Sequence, residues 1–284
     1  MGCDALIPGL GDFEYVLTVV GLLYVVKLAI QTLWAIVNGI RDHWWSRLWK
    51  KHLVEDYGKW AGQEYGVETE IVQLDFMTGR PIYEDIAKHL EDKEIGVLVN
   101  NVGVMLSHPM EFELSSDKDI WNHINVNMAS VPAMTKLILP GMLSRGKGAI
   151  INVASIAGLH PIPLMGIYSA SKAFVDYFSQ ALDWEYRGSG ITVQTVTPSY
   201  VSTNMTKFSE LVHRPSVLIP TAQTFVSNAL HTLGYARRTS GYWAHGIQVH
   251  MVETFVNKWM FMYGNYMWNS YLLWNMKKNQ ARSR

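Results

Sequence analysis

Cysteine is nearly absent: Cys3 is the only one in 284 residues. A lone thiol excludes an intrachain disulfide and any metal site built from several cysteines. The ten histidines show no metal-ligand spacing, so no metal site is expected. Net charge is missing too, with 24 basic and 24 acidic residues. A balanced chain has no global field to draw in nucleic acid, and none is expected as a partner. No glycine-rich turn of the form T-G-x-x-x-G-x-G occurs anywhere. Gly58, Gly62 and Gly66 come nearest, but they lie in a polar context and follow no strand-like run.

Apolar and aromatic residues are plentiful by contrast. Val16 to Val37 reads VLTVVGLLYVVKLAIQTLWAIV, close to the roughly 20 residues needed to cross a bilayer core. Lys27 and Gln31 interrupt it, and no small-residue cleavage site follows. An uncleaved membrane helix is expected; a hairpin or interfacial helix and a buried core helix are the alternatives. Asp12 and Glu14 precede the run, while Arg41, Arg47, Lys50 and Lys51 follow it. That asymmetry places the bulk of the chain in the cytosol, with Trp44, Trp45 and Trp49 at the membrane interface. Residues 1–50 therefore form an anchor and its flank, 51–250 a globular domain and 251–284 an aromatic segment. The stretch 251–274 is rich in Trp, Tyr, Phe and Met. It reads as an interfacial helix pair on the membrane, with a second span or a dimer contact as alternatives.

The middle of the chain alternates between two periods. Val67–Phe76 reads as a strand ending near Asp75, and Ile82–Leu90 as a helix. Ile95–Val99 is a continuous apolar run, as expected of a strand buried on both faces. It ends in Asn100-Asn101-Val102-Gly103, where an open α/β sheet binds ligands, or which is simply a turn. A helical stretch from Lys118 to Leu143 is expected to break around Pro132 and Pro140. Ala149–Val153 and Ile191–Val196 read as strands, and Tyr168–Glu185 and Thr221–Leu233 as helices. Val201–Val217 is expected to cover the site as a lid lined by Met205, Phe208, Leu211 and Val212, and Gly241–Val249 to form a last strand. Strands alternating with helices imply a parallel sheet.

Chemistry concentrates between Ser155 and Lys172. Tyr168 and Lys172 are four apart, so a helix places them on one face. An ammonium beside a phenol favours the phenolate and is expected to lower a tyrosine pKa of about 10. Ser155 precedes the turn-forming run Gly158-Leu159-His160-Pro161-Ile162-Pro163, which can fold its hydroxyl back toward that helix. A surface tyrosine with a chance lysine neighbour is the alternative.

The order and separation of Asn100-Asn101-Val102-Gly103, Asn127, Ser155, Tyr168-x-x-x-Lys172 and Pro198-x-x-Val201-x-Thr203 resemble the short-chain dehydrogenase/reductases. The phrases LVNNVGV, LPGMLSRGKGAIINVAS, KAFVDYFSQALDWEY and RTSGYWAHGIQ are similar to the membrane-bound 17β-hydroxysteroid dehydrogenase and very-long-chain 3-oxoacyl-CoA reductase group. They also resemble its less active hydroxysteroid dehydrogenase-like members. The resemblance covers nearly all of residues 41–250. It implies a Rossmann-like, doubly wound α/β fold with a parallel sheet, NADPH as cofactor and a lipid-like ketone or alcohol as substrate. An endoplasmic reticulum membrane location and a homodimer also follow from it. It implies Tyr168 as general acid, Lys172 as the group that lowers its pKa and holds the nicotinamide ribose, and Ser155 as the donor that orients the carbonyl. Asn127 would position a relay water. Asn101 and Gly103 would border the adenosine and Asp75 the adenine. Pro198, Val201 and Thr203 would line the carboxamide end.

The chain departs from the family pattern at its start. The family begins with a strand, a glycine-rich turn and a helix. Here Lys59-Trp60-Ala61 passes directly to Gly62-Gln63-Glu64-Tyr65-Gly66, which resembles the end of the second helix. A β-α-β unit needs roughly 30 residues or more, so a whole supersecondary unit is absent near 61–62. The sheet is therefore expected to be truncated, its next strand exposed and cofactor binding crippled. Two functions stand: reduction of a lipid ketone, or a non-catalytic membrane protein built on the same domain. Acyl chain and steroid are both open.

Overall fold

Three apolar runs pair in register as parallel strands: β1 (Val97–Asn100), β2 (Gly148–Val153) and β3 (Ile191–Val196). A two-residue strand, β4 (Arg238–Thr239), completes a sheet of order β1-β2-β3-β4. The structure, a computed structural model, describes residues 10–41 and 71–282. Trp44, Trp45, Trp49, Arg47, Lys50, Lys51, the junction near 61–62 and residues 67–70 lie outside the described residues.

Both faces of the sheet are partly covered by helices. On one face Leu98, Ile150, Ile191 and Val193 pack with Met142 of α4 (Ser130–Arg145) and Leu182 of α5 (Gly166–Glu185). On the other, Ala149, Ile151 and Val196 pack with Leu233 and with Phe225 of α6 (Ala222–His231). Gly190 carries φ +82, and an added Cβ would lie 1.8 Å from the Gly146 carbonyl oxygen. Glycine is required where these two loops touch, backbone to backbone. Arg238 of β4 reaches Asp176 of α5 through two contacts of 3.1 and 3.2 Å, tying the short edge strand to the helix layer.

β1 corrects one expectation and bears out another. It is not buried on both faces: Val99 is 51% exposed, and Val102 just beyond is 45% exposed. Leu98 points into the core beneath α4, while Val99 faces the opposite way and is half exposed. Among the described residues β1 is an outer strand with one flank open, as expected of a sheet cut short.

Other elements depart from the local pattern. Over the described part of Val67–Phe76 there is no strand: residues 71–75 have no ladder partner, and Ile71 is 92% exposed. A strand exists only through pairing, and the open flank of β1 is not filled by this segment. A short 3₁₀ turn, Phe76–Thr78, follows instead, capped by the Asp75 carboxylate accepting from the Met77 N–H at 2.9 Å. The helix α2 (Ile82–Leu90) has the expected bounds.

The long helix is not broken at its prolines. α3 (Asp117–Asn122), started by a Ser116/Asp119 capping box, runs into a π-helical segment, His123–Ala129, and then into α4. The wide turn lies directly upstream of Pro132, which has no N–H to give the preceding turn. Pro140 sits inside α4 without ending it.

Gly241–Val249 is not a strand. Gly241, at φ +73, turns the chain off the sheet edge after Thr239, and α7 (Trp243–Phe255) begins two residues later. α8 (Lys258–Arg282) follows after a two-residue break. The lid region holds a 3₁₀ turn and one helical turn; Val212 is buried, but Met205 and Leu211 are exposed.

The amino-terminal run is a helix, α1 (Leu10–Ile40). Its stretch Tyr15–Ile40 is long and apolar enough to cross a membrane. Leu28, Thr32, Ala35 and Gly39 are its partly covered stripe, and its carboxyl end meets α7.

Candidate active site

The site forms where β2 and β3 end and α5 begins. α5 puts Tyr168 and Lys172 on its buried face, at 8% and 5% exposure. The 3₁₀ turn Ile156–Gly158 folds the chain back from β2 onto that helix. Gly158 makes this possible: an added Cβ would sit 2.8 Å from the backbone of Lys172 and Ala173. Ser155 is thereby held at the start of the turn. Its Oγ accepts from the Ala157 N–H at 3.1 Å and donates to the Pro198 carbonyl at 3.3 Å. The Ser155 hydroxyl lies beside the Tyr168 phenol.

The π segment brings in Asn127, which is 1% exposed. Its amide nitrogen donates to the Val104 carbonyl at 2.8 Å and the Ser171 hydroxyl at 3.0 Å. Its oxygen accepts from the Val104 N–H at 2.7 Å. Asn127 thus clamps the loop after β1 to α5. Gly103 lies in that loop, and a Cβ there would be 3.5 Å from both Asn127 Oδ1 and Lys172 Nζ. Below, Asn100 donates to Asn152 at 2.8 Å and Asn152 to Ser179 at 2.8 Å, a buried amide relay that holds the strand ends together.

Electrostatics overturn one expectation. Lys172 does not pull Tyr168 down. Burial pushes the phenol up to about 12, against a smaller lowering by the Ser155 hydroxyl, while nearby Tyr200 raises it further. Lys172 aims its ammonium at the Val153 carbonyl, 3.1 Å away, and lies 5.9 Å from the centre of the Tyr168 ring. Burial in turn holds Lys172 down at about 8. Desolvation outweighs the attraction between the two groups.

Ser155, Tyr168, Lys172, Asn127, Gly103 and Pro198 converge; the other expected residues stand apart. Asn101 is exposed just past the end of β1. Asp75 caps its own turn, which is fixed to the π segment by Asn125 donating to the Met77 carbonyl at 3.1 Å. Val201 lies in the loop after β3, where Thr203 and Thr206 form a local capping box.

Several neighbours carry no local signal. His123 is 1% exposed and meets the Tyr168 ring edge-on at 6.3 Å. Its spacing of four from Asn127 was the one available clue. Buried His245 accepts from the Ser199 N–H at 3.3 Å and donates to the Tyr200 carbonyl at 3.2 Å, fixing the loop after β3 from α7. Burial keeps that imidazole neutral, its pKa lowered to about 4. Phe261 and Trp268 arrive from α8, far along the chain.

A parallel sheet whose strand ends carry this serine, tyrosine, lysine and asparagine defines a dehydrogenase of the Rossmann-like class. Residues 52–211 match the short chain dehydrogenase family model, and the chain belongs to that family. It is similar to the inactive hydroxysteroid dehydrogenase-like protein 1 of Homo sapiens, 44% identical over 200 residues, covering 70% of this chain and 60% of the relative. The chain thus spans about 60% of the length of the first such relatives. It is also similar to the very-long-chain 3-oxoacyl-CoA reductase-B of Danio rerio, 37% identical over 271 residues, covering 80% of this chain and 85% of the relative. Because 80% of 284 residues is fewer than 271, that relative carries internal residues with no counterpart here. Among solved structures, a short-chain dehydrogenase from Sphingobium yanoikuyae in complex with NADPH is 32% identical at a TM-score of 0.52, covering 59% of this chain and 65% of that one. A 7β-hydroxysteroid dehydrogenase shares the fold at a TM-score of 0.61 and 22% identity, covering 71% and 77%.

Proposed function

We propose that Ser155, Tyr168, Lys172 and Asn127 are the proton-handling half of a carbonyl reductase acting on a lipid ketone, a 3-oxoacyl-CoA or a 17-ketosteroid. The convergence of these four side chains at the ends of β2 and β3 carries the reading. NADPH, when bound, supplies the hydride. Ser155 donates to the substrate carbonyl and orients it. Tyr168 gives its proton to the same oxygen; a phenol kept protonated by burial is a donor across the neutral range. Lys172 and Asn127 lead the replacement proton in. α1 anchors the domain to the endoplasmic reticulum membrane, with the site on the cytosolic side.

The residues suit a nicotinamide cofactor at one end only. Gly103, Asn127, Tyr168 and Lys172 would hold the nicotinamide ribose, a Cβ at Gly103 falling 3.5 Å from both Asn127 Oδ1 and Lys172 Nζ, and Pro198, Val201 and Thr203 would border the carboxamide. Asn101, Gly103 and Asp75 remain the adenosine-side candidates. At the phosphate end, no glycine-rich turn among the described residues joins a strand to a helix beside the open flank of β1. Pyrophosphate sites of this class are backbone N–H groups at a helix start. No hydride step is therefore assigned to this chain as it stands. A second reading, a membrane-bound interaction protein without turnover, is favoured by that bare flank.

The test is a graft. The internal segment of the zebrafish reductase that has no counterpart here is inserted between Ala61 and Gly62, and the restored chain is reconstituted in phospholipid. The expected outcome is NADPH-dependent conversion of a 3-oxoacyl-CoA or a 17-ketosteroid to the alcohol. A restored chain that binds NADPH but reduces neither would leave the interaction reading standing.

A further inference from the structure

The last helix, α8, has two faces of different chemistry. The inner face is built into the site. Phe261 packs on the cluster of Ala157, Ile162, Met165 and Tyr168 and meets His160 edge-on at 5.1 Å. Trp268, 37% exposed, borders Tyr200, which is itself a neighbour of Tyr168. Asn269, 2% exposed, donates to the Pro163 carbonyl at 2.9 Å, and Leu272 is 3% exposed. Residues 261, 268, 269 and 272 recur at helical spacing, so one stripe roofs the loop that carries Ser155.

The outer stripe faces solvent, with Tyr271 stacked against Trp274 at 6.3 Å. Trp259, Tyr263, Tyr266, Met267, Tyr271 and Trp274 are all exposed, the first two at 76% and 68%. A row of large rings along 25 residues is far more than the scattered apolar residues of an ordinary surface. Its chemistry is that of Trp and Tyr, whose rings sit at the headgroup level of a bilayer. The helix contains no Asp or Glu. It carries Lys258 at one end and Lys277 and Lys278 at the other, the last with its ammonium 4.7 Å from the Trp274 ring centre. A second copy is a poor occupant. Paired parallel or antiparallel, two such helices set lysine against lysine with no carboxylate between them. An anionic lipid surface satisfies both the rings and the cations.

We propose that α8 lies on an anionic phospholipid surface through its aromatic stripe while its inner stripe roofs the Tyr168 site. Lipid contact and site closure then belong to one helix, and a greasy substrate reaches the site from the surface on which its roof rests. The roofing role rests on the reading of Tyr168 as the reacting group; the lipid contact does not.

The experiment uses the full chain with Cys3→Ser, carrying one environment-sensitive dye at Tyr263→Cys or Met267→Cys, in nanodiscs of phosphatidylcholine with phosphatidylserine. The expected result is a blue-shifted dye that loses most of its emission to doxyl-labelled lipid and little to aqueous iodide. The same dye at Tyr177→Cys on α5, 74% exposed in the free chain, responds the opposite way. With Lys277→Glu and Lys278→Glu together, lipid quenching falls and hydrogen exchange in residues 156–165 quickens. Iodide quenching at both α8 positions would overturn the proposal. So would energy transfer between copies that grows with protein-to-lipid ratio, since it would mark a dimer contact. None of these readouts uses cofactor or turnover. A chain inactive on every ketone but quenched by lipid retains the contact, and an active chain without quenching loses it.

Discussion

Tyr168→Phe in the restored chain lowers turnover about 10²- to 10⁴-fold, or about 3–5 kcal/mol of transition-state stabilisation. The substitution removes one hydroxyl and nothing else. The ring keeps its contacts with Ala157, Ile162 and Met165 and its edge-on neighbour His123. Ser155 keeps the Pro198 carbonyl as partner, so the variant folds. What disappears is the buried phenolic proton beside Ser155. Single-turnover rates with substrate and NADPH in excess measure the chemical step apart from binding. A Phe variant that turns over at the parent rate would remove Tyr168 from the role.

Lys172→Met stabilises the chain at neutral pH, and the advantage closes as pH rises. Burial lowers the lysine to about 8 from an unfolded value of 10.5. Below pH 8 both states hold the proton, and the native state bears the full cost of a buried ammonium. Between 8 and 10.5 the folded chain has shed the proton and the unfolded chain has not, so stability rises with pH. Tyr168 acts oppositely. Its phenol is raised from 10.0 to about 12, so the unfolded chain ionises first and stability falls with pH across that window. At about 1.4 kcal/mol per pH unit between the two lysine values, less the hydrogen bond lost at the Val153 carbonyl, the gain at pH 7 is about 1–3 kcal/mol. Melting curves of the two chains at pH 7 and pH 9.5 show it. A variant that melts below the parent at pH 7, with a gap that persists at pH 9.5, would mean the ammonium is stabilising.

Much of this was legible before the structure. α2 and β3 have the bounds their apolar patterns implied, and the spacing of Tyr168 and Lys172 held because a helix of 20 residues leaves little freedom. What was not legible depends on partners. Residues 71–76 have a strand-like composition but no neighbour to pair with. Gly241–Val249 alternates well enough, yet a glycine at positive φ sends it into a helix. The prolines marked the stretch where the helix departs from regular geometry but not the π segment itself, because the relief lies upstream of Pro132. The direction of the Tyr168 pKa was missed for the same reason. A four-residue spacing says that two groups are near, whereas burial on both sides decides which effect dominates. α8 over the site joins residues 106 apart, Asn269 and Pro163, and no local pattern encodes that.

The central claim is that the acid–base half of the site is intact and the phosphate-binding half is missing. NADPH titration by protein-fluorescence transfer, with this chain and the restored chain in parallel nanodiscs, tests it most directly. The account predicts no saturation for this chain up to about 1 mM and saturation of the restored chain in the micromolar range, a difference of about 4 kcal/mol or more. Saturable micromolar binding by this chain, without the graft, would contradict it.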